Sequence, residues 1–392
     1  MTEKLYYQDS HMSDFEAKVI SCQPNGGESY NVILDKTAFF PEGGGQMSDR
    51  GTVSCGSVSA AVGHVFENEQ GDIIHVCSAP LPKGSTVRGI IDFETRFRRM
   101  QNHSGEHIIS GIAHRLFGCE NVGFHMGSED ITIDFDRELD AKEIDTLERE
   151  ANTAVWKNVR FYSRFPSPEE SQSIDFRSKK EISGQVRLVV VEGYDICACC
   201  APHVSRSGEI GLIKILNFIR YKGGVRLHVL CGRDAYEYIG EICGQNAEIS
   251  HTLSAKPLET AEAVCRLSEQ NAAARTENTR LLSVIAARRT EQMKLSYDPG
   301  KSRNITVFEN ELDNNGLRAL ANAGAELASN GLCAVFCGQD GGYRYIIASR
   351  AIDLRAASKE INTALSGRGG GSPDMIQGSA ACSRERIVKY FE

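Results

Sequence analysis

A chain of 392 residues is too long for one hydrophobic core and predicts about two to four domains. A hydrophobic share of 41% and a charged share of 24% are those of an ordinary globular protein, and no run of 18 apolar residues exists, so no membrane span is expected. The net charge of -8 argues against a generally basic nucleic-acid surface.

The start, Met1-Thr2-Glu3-Lys4-Leu5, lacks a basic segment followed by an apolar one, so a cytoplasmic protein is expected. The 13 cysteines show no disulfide-like spacing and are expected to be buried small hydrophobes or ligands.

Residues 1–90 alternate as strands: Phe15 to Ile20, Tyr30 to Leu34, Ala60 to Val65 and Ile73 to Val76. Asn25-Gly26-Gly27, Gln70-Gly71 and Lys83-Gly84 supply the turns, and a small barrel or sandwich is expected. Inside it lies Thr37-Ala38-Phe39-Phe40-Pro41-Glu42-Gly43-Gly44-Gly45-Gln46. Its glycines allow close backbone approach to a ligand, or a plain turn between strands. No Lys-Ser/Thr follows, so it is not a P-loop.

A helix is predicted from Phe93 to Leu116 or Phe117, with Gly118 as its C-cap. His103 and His107 fall in its middle, four residues apart and hence on one face. Two imidazoles so placed can grip a metal ion, or sit in a core or on a surface. Glu106 precedes the second histidine, which does not fit the His-Glu-x-x-His peptidase pattern.

Residues 120–240 alternate strands and helices. Ile131 to Phe135 alternates as a strand, and Asp140 to Asn158 is amphipathic with Asp140 as N-cap. The strand Val186 to Val191 leads to Cys199-Cys200-Ala201-Pro202-His203. Ile210 to Phe218 and Val225 to Leu230 close the unit. Cys197, Cys199 and Cys200 are all candidate ligands; spacing favours Cys199, which stands four residues before His203. From Phe176 to Arg233 ten basic residues, Lys179 and Lys180 among them, face four acids, a local surplus in an acidic protein. It suits a phosphate backbone or a mixed solvated surface.

From Pro257 to about Leu295 the chain is a long helix with Val264, Leu267, Ala274, Leu281 and Ile285 at core spacing and Asn271 and Asn278 in the remaining slots. This predicts a dimerising coiled coil, or a helix packed on its own protein. Past Tyr297-Asp298-Pro299-Gly300 a small α/β unit follows, with strands Leu332 to Phe336 and Tyr343 to Ala348 and a glycine loop from Gly367 to Ser379.

Four ligands of zinc-accepting type thus come from two pairs, His-x3-His and Cys-x3-His. The stretches Thr37 to Gly51, Arg96 to His107, Cys199 to Gly211 and Gly369 to Ser379 together resemble the alanyl-tRNA editing proteins in their long form. These are freestanding relatives of the alanyl-tRNA synthetase editing domain. The resemblance implies an α+β multidomain fold: a β-barrel (1–90), a zinc-binding editing domain (91–240), a helical linker (245–297) and a DHHA1-like tRNA-binding domain (298–392).

It implies zinc held by His103, His107, Cys199 and His203. It implies hydrolysis of the ester on tRNA(Ala) mischarged with serine or glycine; the heptad spacing, for its part, leads to an expected homodimer through residues 257–295 and the C-terminal domain. Gly43, Gly44, Gly45, Gln46, Arg96 and Ser104 are read as substrate-binding positions, and Glu106 and Thr37 as catalytic candidates. Thr37 or the Gly43–Gln46 loop would contact the serine hydroxyl. Glu106 would be a base or a selectivity contact, or part of a solvated helix face. The chain departs from the synthetases in reading Cys-Cys-Ala-Pro-His where they read Cys-Gly-Gly-Thr-His.

Overall fold

The computed structural model describes residues 1–127, 130–178, 186–300 and 302–392. It is a mixed α/β protein that divides into two compact units, Met1–Ala247 and Glu248–Glu392. Lys179 and Lys180 of the basic stretch lie outside the described residues.

The first unit opens with a closed barrel. Its strands run Asp14–Pro24, Tyr30–Leu34, Ile73–Cys77, Val58–Glu67, Gly51–Cys55 and Thr86–Ile91 around the ring, all antiparallel. Alternation closes it, because Phe15, Ala17 and Val19 point inward while Asp14, Glu16 and Lys18 face water. The strands Gly51–Cys55 and Thr86–Ile91 escape a simple reading of turns and alternation, yet they complete the ring.

Phe93–Phe117 follows as one helix. Asp92 caps it by accepting the Thr95 N–H, and Gly118 ends it at φ 63°. Every residue from Met100 to Ala113 is buried. A helix buried on all sides and still carrying Gln101, Asn102, His103, Ser104, Glu106 and His107 must find a partner for each polar group. That requirement brings the site together.

Four antiparallel strands, in the order Ile213–Tyr221, Gly224–Cys231, Ile131–Phe135 and Asn121–Met126, share a core with this helix and with Ala141–Trp156. The second helix carries the expected Asp140 cap, with Glu143 completing a capping box. A three-stranded sheet, Phe161–Arg164, Leu188–Val191 and Asp195–Ala198, delivers the cysteine motif at its end.

In the second unit the long helix spans Thr260–Ser296, and Asn271 and Asn278 are exposed on it. A five-stranded sheet runs Ile305–Phe308, Leu332–Cys337, Tyr343–Ser349, Met375–Ala380 and Gly367–Gly371. The expected glycine loop is instead the outer hairpin of this sheet, Gly367–Gly371 paired with Met375–Ala380. Glycine permits it: a Cβ at Gly369 would sit 2.4 Å from both the Gln377 carbonyl and the Tyr345 hydroxyl. No described helix is long and apolar enough to cross a membrane.

Candidate metal centre

His103 and His107 project from one face of the buried helix. Cys199 and His203 come from the loop after Asp195–Ala198, and the four donor atoms all lie within 4.8 Å of one another. Cys199 Sγ is 3.6 Å from His103 Nε2 and 3.4 Å from His203 Nε2. Tetrahedral bond lengths of about 2.0–2.3 Å place neighbouring donors about 3.3–3.6 Å apart. The spacing and the donor types fit a four-coordinate cation.

The remaining ring nitrogens are engaged. His103 Nδ1 donates to Gln46 Oε1 at 3.0 Å, and His107 Nδ1 donates to Asp195 Oδ2 at 2.9 Å. His203 Nδ1 lies 3.2 Å from Ser104 Oγ, which also accepts the Val204 N–H. Each contact turns an Nε2 lone pair toward the cluster, the arrangement by which outer groups orient metal-binding histidines. Asp195 is held in turn by Arg177, through Nε at 2.7 Å and Nη2 at 2.8 Å. Burial pushes the Asp195 carboxyl up, but the hydrogen bonds from His107 and Arg177 outweigh it and hold it below the usual range. Burial drives the Cys199 thiol well above its ordinary range, and neighbouring Cys200 adds to this. A bound cation would favour the thiolate instead.

Of the three candidate cysteines, Cys199 joins the four-donor cluster. Cys197 is buried near His107 and Asp195, and Cys200 is exposed. The glycine turn lies against this loop: a Cβ at Gly44 would meet Cys200 Sγ at 3.2 Å. Gly44 and Gly45 have φ of 63° and 82°, and a Cβ at Gly45 would sit 2.9 Å from the Phe124 ring, which itself lies 4.9 Å from the His103 ring. The turn therefore needs glycine for both space and conformation. It brings Gln46 to His103. Among the described residues Gln46 Nε2 is buried with no hydrogen-bond partner.

The other expected site residues are placed as follows. Glu106 is not on a solvated face: it is buried, accepts from Ser110 Oγ and Asn121 Nδ2, and has Oε2 3.9 Å from His107 Nε2. Ser104 supports His203. Arg96 is fully buried, clamped to Asp49 and donating to the Ser10 and Ala38 carbonyls. Asp49 Oδ2 also accepts the Phe40 N–H at 2.6 Å. Arg96 thus ties the two ends of the glycine-bearing segment to the helix, which differs from the substrate contact expected of it. Thr37 lies with the barrel: its hydroxyl is 2.8 Å from His75 Nε2 and accepts the Phe39 N–H. Because His75 Nδ1 donates to the Val32 carbonyl, Thr37 must give its one proton to His75 Nε2.

The local sequence places Asp195 and Arg177 in the charged stretch around the cysteine motif but does not mark them as partners of the metal cluster. One signal was present: Asp195, Cys197 and Cys199 alternate at a period of two, which puts an acid on the strand face that carries the cysteines.

Residues 2–95 match the class II (A) tRNA synthetase family, and residues 186–227 match the threonyl and alanyl tRNA synthetase second additional domain. The Alanyl-tRNA editing protein Aarsd1-B of Xenopus laevis is 29% identical over 332 residues, covering 80% of this chain and 79% of that protein. The mouse Alanyl-tRNA editing protein Aarsd1 is 27% identical over 395 residues, covering 96% and 93%. The chain is similar to alanyl-tRNA editing proteins along most of its length. The Alanine--tRNA ligase of Natronomonas pharaonis is 31% identical, and there the match spans 96% of this chain but 42% of the ligase.

Proposed function

We propose that this protein is an aminoacyl-tRNA deacylase that hydrolyses the ester on tRNA(Ala) mischarged with serine, and secondarily with glycine, at a zinc site formed by His103, His107, Cys199 and His203. The observation that carries the reading is the four-donor cluster set beside the Gly43–Gln46 turn, in a chain similar to editing proteins along most of its length. Zinc suits one thiolate and three imidazoles, and when bound it supplies Lewis-acid polarisation and orientation of the ester.

The chain's own residues do the selecting. A pocket sized for alanine cannot strictly exclude glycine or a small hydroxylated analogue, so a second site must sort by another property. Gln46 offers a buried amide donor with no partner among the described residues, and a serine hydroxyl could fill that role. Alanine would leave the donor unpaired, which protects the correct product. Thr37 is the weaker candidate for this contact, since its own proton is committed to His75. Glu106, buried beneath His107 and tied to Ser110 and Asn121, is proposed to tune the cluster and not to act as a solvent-facing base. An aminoacyl ester is already activated, so placing water and stabilising an oxyanion are enough.

The test is incubation with Ser-, Gly- and Ala-charged tRNA(Ala), following acid-precipitable label. Loss of serine label with alanine label retained is expected; equal retention of all three labels overturns the reading. A second reading has one observation in its favour: four protein donors leave no open position on a tetrahedral ion, which is typical of structural sites. On that reading the protein is a tRNA-binding module, and it would bind tRNA(Ala) while leaving every ester intact.

The second unit is proposed to bind the tRNA body. The chain is proposed to pair with a second copy through the long helix, where Val264, Leu267 and Leu281 are 49%, 49% and 47% exposed. A mass of one chain at micromolar concentration by sedimentation would remove the dimer proposal.

A further inference from the structure

Beside the cluster opens a cavity of about 300 Å³, whose lining includes Tyr7, Tyr162, Ser163, Arg187, His203 and Ser205. It therefore touches a metal-site histidine at one side and a guanidinium at another. Arg187 enters from the strand edge before Leu188–Val191. Its Nη1 donates to the Cys199 and Ala201 carbonyls, each at 2.9 Å. Its guanidinium carbon stands 4.7 Å from the centre of the Tyr7 ring. Among the described residues Nε is buried without a partner, Nη2 makes no hydrogen bond and no carboxylate pairs with the group.

An arginine remains charged at any ordinary pH, and a buried charge is normally paired. Here burial is the largest influence, lowering the group's hold on its proton, and the neighbours that oppose it are the thiols and phenols of Cys199, Tyr7, Cys200 and Tyr6. Among the described residues the cation thus has no counter-anion, and the edge left over is Nε–Nη2. That side-on edge is the fork which accepts two oxygens of a phosphate or carboxylate in parallel.

We propose that Arg187 is the subsite for the phosphodiester on the 5′ side of the 3′-terminal nucleotide of an RNA acceptor strand. The proposal rests on the deacylase reading for the identity of the ligand. An aminoacylated 3′ end offers three groups to a guanidinium. The α-amino group is a cation and is repelled. The ester is neutral. The phosphodiester is the one anion, and it lies within the same nucleotide as the reacting ester. Because Nη1 also grips the backbone of Cys199 and Ala201, an anion on the Nε–Nη2 edge would be held in register with the metal-ligand loop.

The experiment uses the metal-loaded full chain. Binding of the dinucleotide cytidylyl-3′,5′-adenosine, which carries this phosphate, is compared with binding of adenosine, which does not, by isothermal titration. The comparison is repeated for Arg187→Met and Arg187→Lys, with metal content measured in each. The parent protein is expected to prefer the dinucleotide by tenfold or more. The Met variant should lose that preference with its metal retained, and the Lys variant should keep part of it.

An unchanged preference in the Met variant overturns the proposal, and so does no preference in the parent protein. Loss of metal in the Met variant with the preference intact shows a loop staple and also overturns it. Inorganic phosphate competing as well as the dinucleotide shows a generic anion site and overturns the nucleotide assignment. If the Met variant does not fold, the parent comparison and the Lys variant still decide. Hydrolysis of the two seryl esters, of the dinucleotide and of adenosine, is followed in parallel. Binding preference without any hydrolysis would sink the deacylase reading and leave the phosphate subsite standing.

Discussion

His107 Nδ1 and Asp195 Oδ2 lie 2.9 Å apart across 88 residues of chain, joining the buried helix to the strand that carries the cysteines. Through Arg177 the same carboxylate is anchored on its far side. The carboxylate fixes the imidazole's tautomer and raises its basicity toward a cation. Asp195→Asn is expected to weaken metal affinity by about 10–100-fold. Competition with a chelating dye measures it; an unchanged affinity would remove Asp195 from the metal centre.

The two adjacent cysteines should behave differently. Cys199→Ala removes one of four donors and is expected to reduce bound metal to a small fraction of one ion per chain. Cys200→Ala takes away an exposed thiol beside the glycine turn and should leave metal content unchanged. Elemental analysis of the purified variants checks both, and equal losses would contradict the assignment of Cys199.

Gln46→Ala removes the buried donor that has no partner among the described residues, together with the acceptor for His103. If that donor reads the serine hydroxyl, serine deacylation should fall by about tenfold or more, the effect of losing a buried contact of 1.4 kcal/mol or so. Discrimination between serine and alanine should shrink with it. Kinetics on both charged tRNAs make the test, and a fall that is equal for the two would place Gln46 in metal support alone.

Arg96 and Asp49 form a fully buried ion pair. Arg96→Met leaves a carboxylate in the core with part of its partners gone. Breaking one side of such a pair costs about 3–5 kcal/mol. Urea unfolding followed by circular dichroism should show an earlier transition for the first unit. Asp49→Asn should cost less, because the amide keeps an oxygen for the Phe40 N–H.

His75 is buried in the barrel, and burial lowers its pKa to about 4, against a partly opposing bond to the Val32 carbonyl. The unfolded chain, titrating near 6.5, binds the proton more readily than the native state between these values. Stability is therefore complete above about pH 6.5 and declines as pH falls toward 4, by about 3 kcal/mol in all. His75→Gln should flatten this part of the stability profile. A profile that is unchanged in the variant would exclude His75 as its source.

Local patterning determined a good deal of this protein. Alternation located the barrel strands with inward Phe15, Ala17 and Val19. Capping residues set both ends of Phe93–Phe117 and the start of Ala141–Trp156. The two pairs, His103 with His107 and Cys199 with His203, were visible because each repeats a spacing of four within one stretch of chain. Such features depend on neighbours a few residues apart, and a sequence displays those directly.

What only the tertiary structure decided lies in contacts across long separations. Gln46 meets His103 over 57 residues, Ser104 meets His203 over 99, and Asp195 meets His107 over 88. Nothing periodic links such residues. They meet because a polar helix buried on all sides has to satisfy each of its groups with whatever packs against it. The same rule turned Arg96 from an expected substrate contact into an internal clamp, and of the three roles considered for Glu106 its burial removes the solvated helix face. Arg187 escaped notice for the converse reason. A cation with no counter-anion among the described residues is defined by what fails to approach it, and only the folded chain displays that.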